Sequence, residues 1–239
     1  MTKKSDLIEL TKTALKQKLE SGEGDILISK DIIKNGGRSG HSTMTVVQDA
    51  ATALQEFNQT ICNCTKCDLH KGRNKFVFGI GNPNADVMFV GEGPGHDEDL
   101  KGEPFVGRAG QLLDKILAAI KFDRTQIYIA NIVKCRPPNN RDPEPSEMET
   151  CLPYLLEQIQ IINPEFICCL GRIAAQALLE TTLPLGKLRG HFHEWNDRRV
   201  LVTYHPAALL RFQQYKRPTW EDVQKLRAAY DEFIAAKQI

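Results

Sequence analysis

The cysteines are the residues of this chain whose spacing most directly indicates chemistry. Cys64 and Cys67 have the spacing of a short metal-binding pair, and Cys135 and Cys151 form a second pair with 15 residues between them. Zinc sites usually combine two short pairs, so the wide second pair favours an iron–sulfur cluster. The pairing stays open at this point, because Cys62 and Cys64 would also form a pair and because four unrelated thiols are an alternative.

Three further polar motifs stand at or near the ends of apolar segments that are typical of buried strands. Gly91-Glu-Gly-Pro-Gly95 follows the segment 86–90, Asn131 lies late in a second such segment, and His205 follows a third. Glycines let backbone N–H groups approach a ligand closely, and a buried amide must be hydrogen-bonded. Each motif alone is also explained by a tight turn, a satisfied core amide or a turn histidine.

The elements that position these motifs alternate between strand and helix. We predict strands over 86–90, 127–133, 166–170 and 200–204, and helices over 43–57, 109–121, 146–162, 172–179 and 218–236. This alternation predicts an α/β fold of three layers, in which helices flank a central, mostly parallel four-stranded sheet. Ligands bind outside the carboxyl ends of parallel strands, so the three polar motifs should converge on one crevice.

The composition of the chain excludes several classes of protein. The chain has 239 residues, 41% of them hydrophobic, and a net charge of +1, which excludes a wholly disordered chain. No apolar run approaches the ~18 residues of a membrane span, and the opening residues MTKKSDLIEL contain no apolar h-region, so we expect no secretory signal. We therefore expect a cytoplasmic protein without a membrane partner. Seven cysteines argue against a disulfide framework, and Cys168 and Cys169, inside an apolar run, are expected to be buried hydrophobes.

The chain is expected to divide into an N-terminal extension over residues 1–42 and one domain over residues 43–239. The extension contains a glycine-rich stretch and no residues whose spacing indicates chemistry. A docking segment, an arm that binds a protein partner and a disordered tail are all open for it.

Taken together, the motifs resemble the family 4 uracil-DNA glycosylases, the iron–sulfur branch of the uracil-DNA glycosylase superfamily. The segments that carry the resemblance are Cys64–His70, Gly91–Gly95, Gly102–Asp114, Ile129–Pro138, Leu170-Gly171 and Thr203–Pro206. The resemblance covers about residues 58–236 and does not extend to 1–42. It implies a monomeric, nucleoid-associated repair enzyme that flips uracil out of DNA and hydrolyses its N-glycosidic bond, leaving an abasic site.

The resemblance also implies how the base would be bound. Phe105 would stack on the flipped uracil, and Asn131 would bind its O4 and N3–H groups. The backbone around Glu92 and Gly93 would contact the base, and Glu98 would stand against the C5 edge, where thymine carries a methyl group.

For the reaction and the DNA, the resemblance implies a second set of roles. His205 would donate a hydrogen bond to uracil O2, and Glu92 would position water or stabilise the sugar cation. A [4Fe-4S] cluster would be held by four thiolates and would fasten the loop after Cys135 to the DNA face. The expected cluster ligands are Cys64, Cys67, Cys135 and Cys151, and the expected DNA-binding residues are Leu209, Leu210, Arg211 and Arg136.

Two other classes of protein stay open from the sequence. One is a redox iron–sulfur protein without base chemistry, and the other is a non-catalytic module that binds uracil in DNA. Both leave the combination of Phe105, Asn131 and His205 without an explanation.

Overall fold

The computed structural model describes residues 49–237. The predicted extension over 1–42, and the first residues of the domain predicted to begin at 43, lie outside this range. Within residues 49–237, no helix is both long enough and apolar enough to cross a membrane.

Residues 49–237 contain eight α-helices, five of which correspond to predicted helices. They are α1 (Ala50–Ile61), α2 (His96–Lys101), α3 (Arg108–Ala119), α4 (Pro145–Ile162), α5 (Arg172–Leu178), α6 (Leu185–Leu188), α7 (Pro206–Arg211) and α8 (Lys216–Lys237), with 3-10 turns at Asp68–Gly72, Pro138–Asn140 and Gln213–Tyr215. The helix predicted over 43–57 corresponds to α1, which begins later and ends at Ile61.

One six-stranded sheet forms the centre of the described part. Its strands are β1 (Ile80–Gly81), β2 (Val87–Gly91), β3 (Tyr128–Asn131), β4 (Phe166–Leu170), β5 (Phe192–Trp195) and β6 (Arg198–Thr203), and their spatial order is β1-β3-β2-β4-β6-β5. The four predicted strands are the four inner ones, and they are parallel to one another. The predicted count of four is too low, because β1 and β5 add an antiparallel strand at each edge.

The three-layer arrangement follows from the alternation of side chains along the inner strands. In β2, Met88 and Val90 face one side of the sheet, in a core shared with α1, α4, α5 and α6. Val87 and Phe89 face the other side, in a core shared with α3 and α8. Every residue of β2 is buried, as expected for a parallel strand that is covered on both faces.

The order in which the chain forms the strands creates a crevice at the carboxyl ends of the inner strands. From β2 the chain moves to β3 on one side, and then returns past β2 to β4 on the other. Such a reversal separates the loops that leave the two neighbouring strands, and open α/β sheets bind their ligands there. The last residues of the inner strands, next to this crevice, are Gly91, Asn131, Leu170 and Thr203.

Candidate active site

A cavity of about 410 Å³ lies at the carboxyl ends of the inner strands. The structure brings together around it the residues predicted to bind and cleave a base, although they come from loops far apart in the sequence. Those that line it are Glu92, Gly93, Glu98, Phe105, Asn131 and His205, together with Arg211, which was predicted to contact DNA. The predicted convergence of the three polar motifs on one crevice is therefore confirmed.

Asn131 presents a buried acceptor with no partner of its own. The residue is 2% exposed, it ends β3, and its Oδ1 atom has no hydrogen-bond partner within the described residues. An unpaired buried carbonyl costs roughly 1–3 kcal/mol, so a donor from a ligand would relieve that cost. Gly91 leaves the space for this arrangement, since a Cβ there would lie 2.5 Å from Oδ1 of Asn131 and 2.7 Å from the ring of Phe105.

Phe105 is held in a backbone conformation that L-amino acids rarely adopt. Its φ is 55°, in the left-handed region, which typically costs about 1–3 kcal/mol for such a residue. Arg124, which is ion-paired with Asp114, donates from Nη2 to the carbonyl oxygen of Phe105 at 2.5 Å. Gly110 is required beside it, because a Cβ there would lie 1.8 Å from the same oxygen. The ring itself is buried, with 5% exposed, at the wall of the cavity.

The carboxylate of Glu98 binds the backbone on the C-terminal side of Phe105. One carboxylate oxygen accepts from the backbone N–H groups of Val106 and Gly107, each at 2.9 Å, and the other accepts from Gly95 at 3.1 Å. The side chain lines the cavity, but its oxygens are taken up by the backbone around Phe105. These bonds hold the backbone that follows Phe105, and the contact of Glu98 with the C5 edge of a base stays a prediction.

His205 is the N-cap of α7, and this fixes its tautomer. Its Nδ1 atom accepts from the backbone N–H of Ala207 at 3.1 Å, since Pro206 has no N–H to offer. Burial, together with the positive charge of Arg211, lowers the pKa of His205 to about 4. At neutral pH the ring is therefore neutral and carries its proton on Nε2, so it can donate one hydrogen bond. The ring packs against Phe105, with centroids 5.4 Å apart.

Glu92 is a half-buried carboxyl group directly after β2. The pKa of Glu92 is raised to about 7, chiefly by burial and also by the nearby carboxylate of Asp142, while the charge of Arg172 acts in the opposite direction. Arg172 is also the partner of Asp142, with Nη2 at 2.5 Å from Oδ2. Glu92 therefore changes its charge close to neutral pH, which suits a group that acts on protons or on a developing positive charge.

The loop between Cys135 and Cys151 supplies cavity residues that the sequence did not reveal. Pro137, Asn140, Arg141 and Asp142 line the side of the cavity near Glu92. The available signal was that both ends of this loop carry predicted ligands of one cluster, so its middle must return to the same region. The spacing alone does not say which side chains face the crevice.

The four predicted ligand thiols lie close enough together to influence one another. Burial raises the pKa of Cys67, with Cys64 contributing. Burial likewise raises the pKa of Cys135, with Cys67 and Cys64 contributing. It raises the pKa of Cys151 to about 11, with Cys135 and Cys67 contributing. Segments separated by some 70 residues of sequence thus bring four sulfur atoms to one place.

Among residues 49–237, no group of three or more His, Cys, Asp or Glu side chains is arranged as a metal site, so the cluster stays a prediction. The sulfurs already accept hydrogen bonds of the kind that tune iron–sulfur clusters: the N–H of Lys134 lies 3.3 Å from Sγ of Cys151, and Nη1 of Arg73 lies 3.2 Å from Sγ of Cys135.

The other three cysteines lie apart from this group. Sγ of Cys62 contacts the carbonyl oxygen of Gln59 at 3.6 Å, one turn back at the end of α1. Cys168 and Cys169 are fully buried in β4, which confirms that they are core residues.

The predicted DNA-binding residues divide into exposed and buried ones. Leu210 is 39% exposed and Arg211 is exposed beside it, but Leu209 is only 2% exposed. Leu209 lies on the side of α7 that packs against α3, so the prediction that it enters a DNA groove is wrong. Phe212, which was not predicted, is 46% exposed next to Arg211.

Arg136 is half-buried in the loop that follows Cys135. Its Nε donates to Oδ1 of Asn140 at 2.8 Å, and its Nη1 lies 3.1 Å from Nδ1 of His96. These contacts hold the guanidinium beside the cavity rim formed by Asn140, where a phosphate could approach it.

Comparison of the sequence with known proteins finds a matching family model and several similar proteins. A sequence model of the uracil DNA glycosylase superfamily matches residues 78–224. The chain is 46% identical over 183 residues to the type-4 uracil-DNA glycosylase of Archaeoglobus fulgidus, an alignment that covers 73% of this chain and 92% of that protein. It is 42% identical over 179 residues to that of Thermotoga maritima, covering 73% and 93%. It is 48% identical over 166 residues to that of Pyrobaculum aerophilum, covering 66% and 85%.

Proposed function

Because this chain belongs to the uracil-DNA glycosylase superfamily, and to its type-4 group, we propose that the cavity at the carboxyl ends of the sheet receives a uracil flipped out of DNA. The protein is a DNA repair enzyme, a uracil-DNA glycosylase that hydrolyses the N-glycosidic bond and leaves an abasic site. Flipping a base costs a few kcal/mol, which contacts in the cavity must offset.

Base recognition is assigned to Phe105 and Asn131. Stacking on an aromatic ring is typically worth about 1–3 kcal/mol per base, and Phe105 offers its ring in a fixed orientation. The unpaired Oδ1 of Asn131 would accept from uracil N3–H, while its amide nitrogen would donate to O4. The unpaired buried acceptor in this cavity is the observation that carries the proposal, because uracil supplies the missing donor.

Cleavage of the N1–C1′ bond is assigned to His205 and Glu92. As the bond breaks, the electron pair stays with uracil, and negative charge grows on O2. The neutral ring of His205 would donate from Nε2 to that oxygen without a change in its own protonation. The carboxylate of Glu92 would stabilise the cation forming at C1′ and accept a proton from the water that adds there.

Incubation with an oligonucleotide that contains one uracil, followed by alkali and gel electrophoresis, tests this function. We expect one cleavage product from the uracil strand and none from a matched strand with thymine at the same position. Binding of the uracil strand without alkali-sensitive product would instead indicate a non-catalytic uracil-binding module.

The pKa of Glu92 predicts the pH dependence of the reaction. If the ionised carboxylate is the active form, the rate rises with pH through about 7, where Glu92 loses its proton. His205 adds no change between pH 5 and 8, because its pKa of about 4 keeps it neutral throughout that range. Single-turnover rates from pH 5 to 9 measure this, and Glu92→Gln should give a low and pH-independent rate.

Asp142→Asn is the matched control for that profile. Removing the neighbouring negative charge should lower the pKa of Glu92 and move the midpoint of the rate profile to lower pH. A wild-type rate that falls as pH rises through 7 would show that the protonated form of Glu92 is the active one.

We also propose that Cys64, Cys67, Cys135 and Cys151 hold a [4Fe-4S] cluster. The proximity of their thiols and the hydrogen bonds donated to their sulfurs support this. When bound, the cluster would cross-link three distant segments, and its role in the reaction would be structural. It would fasten the loop that carries Asp142 to the side of the cavity.

The proposed cluster predicts the colour and the metal content of the purified protein. The purified protein should be brown, with broad absorbance near ~400 nm from thiolate-bound iron. Replacing any one of the four ligand cysteines by Ala should bleach it. Cys168→Ala should keep the colour, because that thiol is buried in β4. A colourless wild-type protein that contains one zinc ion per chain would contradict the assignment.

For the DNA we propose a contact surface made of Leu210, Phe212, Arg211 and Arg136. The two apolar side chains are exposed beside the cavity, where one of them would fill the space left by the flipped base. The two arginines would contact phosphates.

A further inference from the structure

Lys134 is a charged residue in the core whose counter-ion is missing. It is 0% exposed and directly precedes Cys135, and its Nζ donates to Oε1 of Gln158 at 2.5 Å. No ion pair within residues 49–237 includes Lys134. Lysines are almost never fully buried unless they are paired, because an isolated buried charge costs several kcal/mol.

One buried side-chain oxygen, Oε1 of Gln158, faces the ammonium group of Lys134. Gln158 is also fully buried, and its Nε2 donates to the carbonyl oxygen of Phe78 at 3.0 Å. This bond fixes the amide so that its oxygen, rather than its nitrogen, faces the ammonium group. The backbone N–H of Lys134 meanwhile donates to Sγ of Cys151 at 3.3 Å, which places the residue against the thiol group.

Arg73 also contacts this group of cysteines. Its Nη1 donates to the carbonyl oxygen of Cys64 at 2.8 Å and to Sγ of Cys135 at 3.2 Å. It too appears in no ion pair within the described part of the chain. Two cations without carboxylate partners therefore flank a group of four thiols.

We propose that Lys134 and Arg73 are the counter-ions of the cluster, and that their charges hold it in the protein and raise its reduction potential. The inference rests on the cluster proposed above. Four thiolates around an oxidised cubane core, which carries two positive charges, leave a net charge of two negatives. Lys134 and Arg73 together offset that charge. Reduction adds a further negative charge, so nearby cations favour the reduced form.

The test compares the holoprotein with Lys134→Met, which keeps an unbranched side chain of similar length and removes its charge. Iron content and the midpoint potential of the cluster are measured by metal analysis and protein-film voltammetry. We expect a shift of the potential to more negative values and a faster loss of iron to a chelator. Lys66→Met is the matched control, since Lys66 lies between two ligand cysteines but is exposed to solvent, which screens its charge.

Two further comparisons keep the inference testable if Lys134→Met does not fold. Gln158→Glu gives the ammonium a carboxylate partner and should shift the potential in the same direction with little change in packing. Arg73→Gln should also shift it, whereas Arg73→Lys should preserve it in large part. Unchanged potentials and iron retention in these variants would overturn the counter-ion role and leave the cluster standing. A wild-type protein that purifies without iron would overturn both.

Discussion

Replacing His205 by Ala should lower kcat for uracil excision about 10²–10³-fold and leave the binding of uracil-containing DNA almost unchanged. The reason is that the ring is a fixed, neutral donor: α7 bonds its Nδ1, and its low pKa keeps it from taking up a second proton. Its hydrogen bond to O2 strengthens only as negative charge develops there, so the loss falls on the transition state. Single-turnover rates and a binding titration with a non-cleavable uracil analogue separate the two effects.

His193→Ala is the control for this variant. His193 bonds the carbonyl oxygen of Leu188 through Nε2 and lies on the edge strand β5, away from the cavity. Its removal should leave kcat within a factor of about two of the wild type. If His205→Ala turns over uracil at the wild-type rate, the leaving group must be stabilised elsewhere.

Asn131→Asp should weaken uracil excision on the order of 10²-fold and create some activity on cytosine. A carboxylate cannot donate to uracil O4 and would be repelled by it. It can, however, accept from the amino group that cytosine carries at C4. Asn131 is buried at the end of β3 with no competing partner at Oδ1, so the side chain at this position should decide which base edge is accepted.

Two oligonucleotides, one with uracil and one with cytosine at the same position, measure the exchange of specificity. Asn131→Ala is the matched control: it should lose uracil excision without gaining any on cytosine, because it offers no hydrogen bond to either base. An Asp variant that removes uracil at the wild-type rate and leaves cytosine intact would make Asn131 a structural amide.

The central part of the fold was predictable because its signals are strong and local. The four inner strands are apolar runs buried on both faces, and α3 and α4 have apolar positions at helical spacing. The edge strands lack such signals: β1 is two residues long, and β5 contains a histidine and a glutamate. The helix α2 was missed because its six residues, four of them charged, show no apolar period.

The candidate site was predictable where a residue is tied to the end of a strand, as Glu92, Asn131 and His205 are. Residues that reach the cavity through a long loop, such as Asp142, were not predictable, because no local pattern fixes the path of the loop. Leu209 and Leu210 look alike in sequence, and only the packing of α7 against α3 shows which of them is buried.

The left-handed backbone at Phe105 has a consequence for selection and engineering. Glycine, or to a lesser extent asparagine, would occupy this conformation with less strain, but either would remove a ring that packs in the core. The strain is worth about 1–3 kcal/mol, whereas the loss of a buried phenylalanine typically costs about 3–5 kcal/mol. Relieving the strain therefore does not stabilise this turn, and directed evolution of this scaffold should hold Phe105, Gly110 and Arg124 fixed as one unit.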